Sequence, residues 1–274
     1  MITVFTPTFN REKTLNRLYQ SLLLQTNKNF EWLVVDDGSS DNTELIVNSW
    51  IEDGILNISY FKQKNGGKHR AINKGLELAK GELFFIVDSD DYLPNDSLKI
   101  IMKYYEDVKL DENIIGVVGL YKNKDGEILG GKKFPHLIID SDLIERREKY
   151  GVTADMAKVL KTSNFKKFLF PDIEGEKFVA ESLVWNRMAI NHKFRYFNEA
   201  IYVAEYMEDG LSSASIRNRR KNPLYATLLY NELAHNPKAP FKLKMKSLIN
   251  FWRFSFCKSN NLLSLLREIK MWIY

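Results

Sequence analysis

The sequence predicts an α/β fold: a doubly wound, mostly parallel sheet with helices on both faces, followed by a helical C-terminal extension. Through the first half of the chain, short apolar runs rich in branched and aromatic residues alternate with amphipathic stretches of about ten residues. Each run ends in a polar tip. The 274 residues are 45% hydrophobic and 27% charged. A chain of this length buries roughly three quarters of its unfolded surface, so one large domain with a smaller extension is expected and disorder is excluded.

The strands are read at Ile2 to Phe5, Trp32 to Val35, Ile58 to Phe61 and Leu83 to Val87, compact enough to be buried on both faces. Helices are read at Leu15 to Leu24, Thr43 to Ile51 and Ala71 to Ala79; in the first, Leu15, Leu18, Tyr19 and Leu22 recur at helical spacing. A further helix, Leu98 to Tyr105, and a strand, Ile115 to Tyr121, follow. Asn123-Lys124-Asp125-Gly126-Glu127 reads as a hairpin turn into a strand at Ile128 to Phe134. Residues from Leu137 to Asp172 are weakly periodic and read as an elaboration over the sheet. Ser182 to Ala189 reads as a helix and Phe194 to Tyr206 as one or two strands. A break near Asn218 to Pro223 opens the helical C-terminal region. The expected division is residues 1–218 (donor half 1–110, acceptor half 111–218) and a basic, aromatic-rich region, 219–274.

The net charge of +5 is unevenly placed. From His235 to Tyr274 there are eight Lys or Arg and one acid, a local charge of +7, which leaves the rest of the chain at −2. Basicity confined to a tail is not a nucleic-acid footprint. The single Cys257 offers no internal disulfide. No stretch reads as a signal peptide or approaches the roughly 20 apolar residues of a membrane span. A cytoplasmic protein is expected, peripheral on the inner face of the cell membrane if its tail docks there. Phe241 to Phe254, and a second piece ending Met271-Trp272-Ile273-Tyr274, interleave bases with large apolar side chains. Such segments suit an anionic membrane surface, and equally a helical hairpin packed on the domain or on a second subunit.

Ligands of doubly wound folds bind beyond the carboxyl ends of the strands. Asp88-Ser89-Asp90 emerges there from Leu83 to Val87, and two carboxylates with phosphate oxygens suit Mn²⁺ or Mg²⁺; a solvated acidic turn is the plain alternative. Asp36-Asp37-Gly38-Ser39 can accept from ligand N–H groups, or simply make a turn. Asn65-Gly66-Gly67-Lys68-His69-Arg70 offers backbone donors and bases to an anion. His69 is not expected to ligate a metal, because the other histidines are scattered.

Taken in order, Val4-Phe5-Thr6-Pro7-Thr8-Phe9-Asn10-Arg11, Val34-Val35-Asp36-Asp37-Gly38-Ser39-Ser40-Asp41, Asn65-Gly66-Gly67-Lys68-His69-Arg70-Ala71-Ile72-Asn73 and Asp88-Ser89-Asp90-Asp91 resemble the family-2 glycosyltransferases of the type A fold. The resemblance implies a UDP-sugar donor, a divalent metal and transfer with inversion to a glycan or lipid-linked sugar acceptor. It places Pro7, Thr8 and Asn10 near base and ribose, Asp37 on the uracil N3–H, Lys68 near the nucleotide, and Asp88 and Ser89 near ribose or sugar. Asp90 would hold the metal. Inverting transfer also needs a base for the acceptor hydroxyl. Many relatives carry a Glu-Asp pair where this chain has Ala180-Glu181-Ser182. Glu181, set before an apolar helical run, is favoured over Asp172, Glu174 and Glu176, which lie in a turn-like stretch; a helix-start acid is its plain alternative. Two other classes stay open: a nucleotide-sugar-binding or membrane-docking module without chemistry, and a haloacid-dehalogenase-like phosphotransferase using Asp88, for which the later acidic pair is missing.

Overall fold

The computed structural model describes residues 1–130, 132–204 and 215–258. Eight strands form one mixed sheet: β1 Ile2–Thr8, β2 Phe30–Asp36, β3 Ile58–Lys62, β4 Leu83–Ile86, β5 Ile114–Lys122, β6 Ile138–Ser141, β7 Met156–Lys161 and β8 Lys193–Val203. Their spatial order is β3-β2-β1-β4-β7-β5-β8-β6. The pairs β1–β2, β2–β3, β1–β4 and β5–β8 are parallel, while β7 runs antiparallel between β4 and β5 and β6 antiparallel on β8.

Helices α1 Leu15–Leu23, α2 Thr43–Asp53 and α4 Ser97–Glu106 cover one face. Their apolar stripes pack with Val4, Trp32, Phe85 and Phe197 in one core layer. The other face is covered by α3 Lys68–Leu78, α5 Leu143–Glu148, α6 Thr162–Phe165, α7 Ser182–Asn191 and α9 Pro223–His235, around Phe5, Phe84, Leu160 and Tyr196. Alternate side chains of each buried strand feed the two layers, as period-two geometry requires. Of the remaining helices, α8 Ser215–Lys221 precedes α9, and α10 Phe241–Lys258 packs along α9, with Phe254 stacked on Tyr230.

Two expectations fail. The hairpin turn forms, closed by Asn123 N–H to Glu127 O at 2.9 Å, but the described residues between Ile128 and Phe134 make no strand, only one bridge from Ile128 to Lys122. Phe134 instead anchors on Asn198, whose side chain holds its N–H and its C=O, and buries its ring in the core. Nor is the stretch from Leu137 to Asp172 mere elaboration, since it supplies β6 and the central strand β7. Two lysines hide β7 in the sequence. Lys161 satisfies its ammonium on the carbonyls of Val108 and Asp111, and Lys158 lies over the Trp185 ring, so both are tolerated inside the sheet. The break expected at Asn218 to Pro223 narrows to Asn222, and of Phe194 to Tyr206 only the single strand β8 and Ala204 lie within the described residues. The piece ending Met271 to Tyr274 lies outside them.

One remote carboxylate starts α9. Glu176, 4% exposed, accepts from the N–H groups of Leu224 (2.6 Å) and Tyr225 (2.7 Å), serving as the cap that Asn222 does not provide. Asn222 meanwhile accepts from Lys177 and Phe178, so the loop before α7 and the start of α9 are cross-linked. Glu176→Ala should therefore lower stability by about 1–3 kcal/mol, read as a reduced urea midpoint with an unchanged slope.

Candidate active site

Connection direction reverses between β1 and β4, a switch point at which neighbouring strands part. The β1–β4 ladder ends at Phe5–Ile86, whereas the β1–β2 ladder runs on to Thr8–Asp36. Pro7, which has no N–H to give, lies in the stretch paired on the β2 side alone. Next to it the Thr8 hydroxyl is buried without a hydrogen-bond partner. Asn10, with φ of 52°, folds the tip back: its side chain accepts from Ser40 N–H at 2.8 Å and its own N–H donates to Ser39 Oγ at 2.8 Å.

The second tip is organised by two adjacent carboxylates. Asp36 accepts from Ser39 N–H (2.7 Å) and the Tyr60 hydroxyl (2.5 Å), which closes its own turn. Asp37, 5% exposed, accepts from Gly66 N–H (2.8 Å), Gly67 N–H (2.7 Å), Gln63 Nε2 (2.8 Å) and Asn65 Nδ2 (3.3 Å). Those four bonds match the capacity of an ionised carboxylate. Gly67, at φ of +101°, runs so close to Lys177 that an added Cβ would lie 2.0 Å from its carbonyl oxygen, so no side chain fits there. Asp37 thus holds the start of α3 against the end of β2, which sets the position of Lys68.

The Lys68 ammonium lies 2.6 and 2.9 Å from the two oxygens of Asp88 and 2.8 Å from Glu181 Oε1. One cation therefore bridges the acidic tip of β4 and the residue before α7. Burial opposes the Lys68 charge, but the two carboxylates outweigh it and raise its pKa above the ordinary lysine range. Burial, with repulsion from Glu181 and Asp90, raises Asp88 despite Lys68. Glu181 moves the other way: burial is overcome by Lys68, Lys158 and the Trp185 side chain, which keep it ionised. It stands at the N-cap position of α7, where its side chain makes no capping hydrogen bond. α7 anchors it through buried Leu183, Val184 and Trp185.

The other candidate bases are occupied or remote. Arg70 clamps Asp172 with 2.8 and 2.5 Å bonds and also holds the carbonyls of Ile173 and Glu176 at 2.9 Å. Glu176 caps α9, and Glu174 is exposed. Ser89 is buried at the tip, and Asp90 keeps its carboxylate free of hydrogen bonds and ion pairs among the described residues while Arg17 donates to its backbone carbonyl. Residues that the sequence did not single out complete the cluster. The Tyr202 hydroxyl accepts from Asp88 N–H at 2.9 Å and donates to Asp91 at 2.7 Å. Burial and nearby Arg146 push Lys158 down to about 8.

These tips match a known pattern over most of the chain. The model of glycosyl transferase family 2 matches residues 3–168. The chain belongs to that family. Glycosyltransferase GlyA of Streptococcus pneumoniae is 29% identical over 225 residues, covering 77% of this chain and 31% of GlyA. TarS of Staphylococcus aureus, a poly(ribitol-phosphate) beta-N-acetylglucosaminyltransferase, is 26% identical over 270 residues, covering 89% of this chain and 46% of TarS. The chain thus spans less than half the length of either relative. The structure of TarS residues 1–349 in complex with UDP-GlcNAc superposes with a TM-score of 0.68 at 25% identity, over 93% of this chain and 72% of that one. The Pyrobaculum calidifontis mannosyltransferase PcManGT, solved with GDP-Man and Mn²⁺, shares the fold at 18% identity, with a TM-score of 0.60 over 100% of this chain and 80% of that one.

In this family-2 chain, no group of three or more His, Cys, Asp or Glu among the described residues could hold a metal. Asp88 and Asp90 do fit the way Mg²⁺ and Mn²⁺ are held beside nucleotides, by one or two carboxylates with phosphate oxygens completing the shell. The mutual repulsion that raises Asp88 is what such a cation would relieve.

His69, next to Lys68, is 1% exposed with both ring nitrogens unpartnered. Burial and Arg70 lower its pKa from 6.5 to about 4. Below pH 6.5 the unfolded chain takes up the proton first, so this site's contribution is intact above 6.5 and lost as pH falls towards about 4. Urea unfolding of His69→Phe should show a drop between those pH values smaller than wild type by on the order of 3 kcal/mol.

Proposed function

We propose that this chain is an inverting glycosyltransferase that moves a sugar from a UDP-sugar to an acceptor hydroxyl in glycan or surface-polysaccharide assembly, with a divalent cation at Asp90. The observation that carries the reading is the Lys68 bridge, which sets a carboxylate suited to the ribose or sugar of the donor, Asp88, beside one suited to the acceptor hydroxyl, Glu181. Family membership and a fold shared with a UDP-GlcNAc-bound relative support the donor class.

Donor cleavage places negative charge on a diphosphate oxygen. A cation bound by Asp90 and Asp88 would supply Lewis-acid stabilisation of that charge, so no protein acid is needed. Pro7, Thr8 and Asn10 line the β1 side of the crevice, where base and ribose would lie. Asp37 serves first as the anchor of the loop before Lys68, and it reads a base N–H only by exchanging one of its bonds. Gln63 Nε2 and Asn65 Nδ2, the two side-chain donors, are the ones that can swing away. Lys68 orients Asp88 and Glu181 and contributes positive charge beside the leaving group. Glu181 accepts the acceptor hydroxyl proton. The cations that keep it ionised also weaken it as a base, so it suits a proton that leaves late, as the new bond forms.

The test is UDP release from a panel of UDP-sugars with Mn²⁺. Glu181→Gln should lower kcat by roughly 10²–10⁴-fold with donor binding retained. Asp90→Ala, or chelation of wild type, should abolish turnover. Full activity in Glu181→Gln excludes Glu181 as the base, and full activity in Asp90→Ala removes the metal role.

A further inference from the structure

Helix α10 packs on α9, as the helical-hairpin reading expects, and it presents three separate faces. Ser247, Phe251, Phe254 and Ser255 are buried, and the helix packs on α9. On another side, Phe241 is 77% exposed, Met245 42%, Ile249 66% and Phe256 59%, with Trp252 half-buried among them. At 3.6 residues per turn these five fall within an arc of about 80°, a continuous apolar stripe along the helix. Lys242, Lys246 and Arg253 occupy the adjoining arc and are exposed. No acid occurs between Phe241 and Lys258. Helix α8, packed against α10, adds exposed Arg217, Arg220 and Lys221.

We infer that this face of α10 docks on an anionic lipid surface, its stripe entering the headgroup boundary while the flanking bases meet lipid phosphates. Helices that lie in that interface combine these properties: an apolar face bearing Trp and Phe, a polar face rich in Lys and Arg, and too little total hydrophobicity to span. Among the described residues no helix is long and apolar enough to cross a membrane. A second copy of the chain suits the stripe poorly. Pairing through it would set Lys242, Lys246 and Arg253 of one copy against the same residues of the other, with no carboxylate on either helix to offset them. The docking face is rigidly tied to the cleft, because α10 packs on α9 and the start of α9 is bonded to Glu176, five residues before Glu181. This inference does not depend on the sugar chemistry.

Cosedimentation of the 274-residue chain with vesicles separates the outcomes. Wild type is expected to bind phosphatidylcholine vesicles that contain phosphatidylglycerol, to bind pure phosphatidylcholine weakly, and to be released by salt. Met245→Glu with Ile249→Glu should abolish binding without changing the melting temperature. Lys242→Gln, Lys246→Gln and Arg253→Gln should each weaken it roughly five-fold. The inference is overturned if wild type ignores phosphatidylglycerol vesicles or if the stripe variant binds them as well as wild type. It is likewise overturned if light scattering shows a wild-type dimer that the stripe variant converts to a monomer.

Discussion

The ammonium of Lys68 stands within hydrogen-bonding reach of carboxylates from two distant parts of the chain, and the arrangement of the cleft depends on that contact. Without it, Asp88, Asp90 and Glu181 would present like charges to one another at the end of β4. With it, Glu181 stays ionised and Asp88 is held in place. The cluster is partly open to solvent, so its worth lies in orientation more than in stability. It joins the strand-end loop of β4 and the start of α3 to the helix that opens after Glu181.

Lys68 reaches this position through backbone geometry. Asp37 spends its whole acceptor capacity on the segment from Gln63 to Gly67, and Gly67 passes a carbonyl too closely for any side chain. Arg70 then ties the first turn of α3 to the loop from Asp172 to Glu176. The same loop caps α9 through Glu176. A chain of specific hydrogen bonds thus runs from the tips of β2 and α3, past the candidate base, to the helix pair that carries the proposed docking face.

Much of the fold was legible because its signals are local. Val4, Trp32 and Phe85 sit in runs too apolar for anything but buried strands, and Leu15, Leu18 and Leu22 repeat at helical spacing. β7 was not legible, because Lys158 and Lys161 read as solvent-facing until their distant partners are known: the Trp185 ring, and the carbonyls of Val108 and Asp111. The strand expected at Ile128 to Phe134 failed for the converse reason. Its local pattern is strand-like, but Phe134 finds a better environment on Asn198.

The candidate site divides the same way. Sequence alone determined the chemical inventory, with acids after β2 and β4, glycines and bases before α3, and a glutamate before an apolar helix, because each lies at a strand or helix end that periodicity marks. Tertiary structure alone decided which of those groups meet. Asp172 went to Arg70, Glu176 to the α9 backbone and Glu181 to Lys68; the apolar run after Glu181 set it apart in the sequence, but nothing local names these three partners. Their partners lie tens of residues away or more, and such pairings are set by the packing of the sheet, which composition and periodicity do not encode.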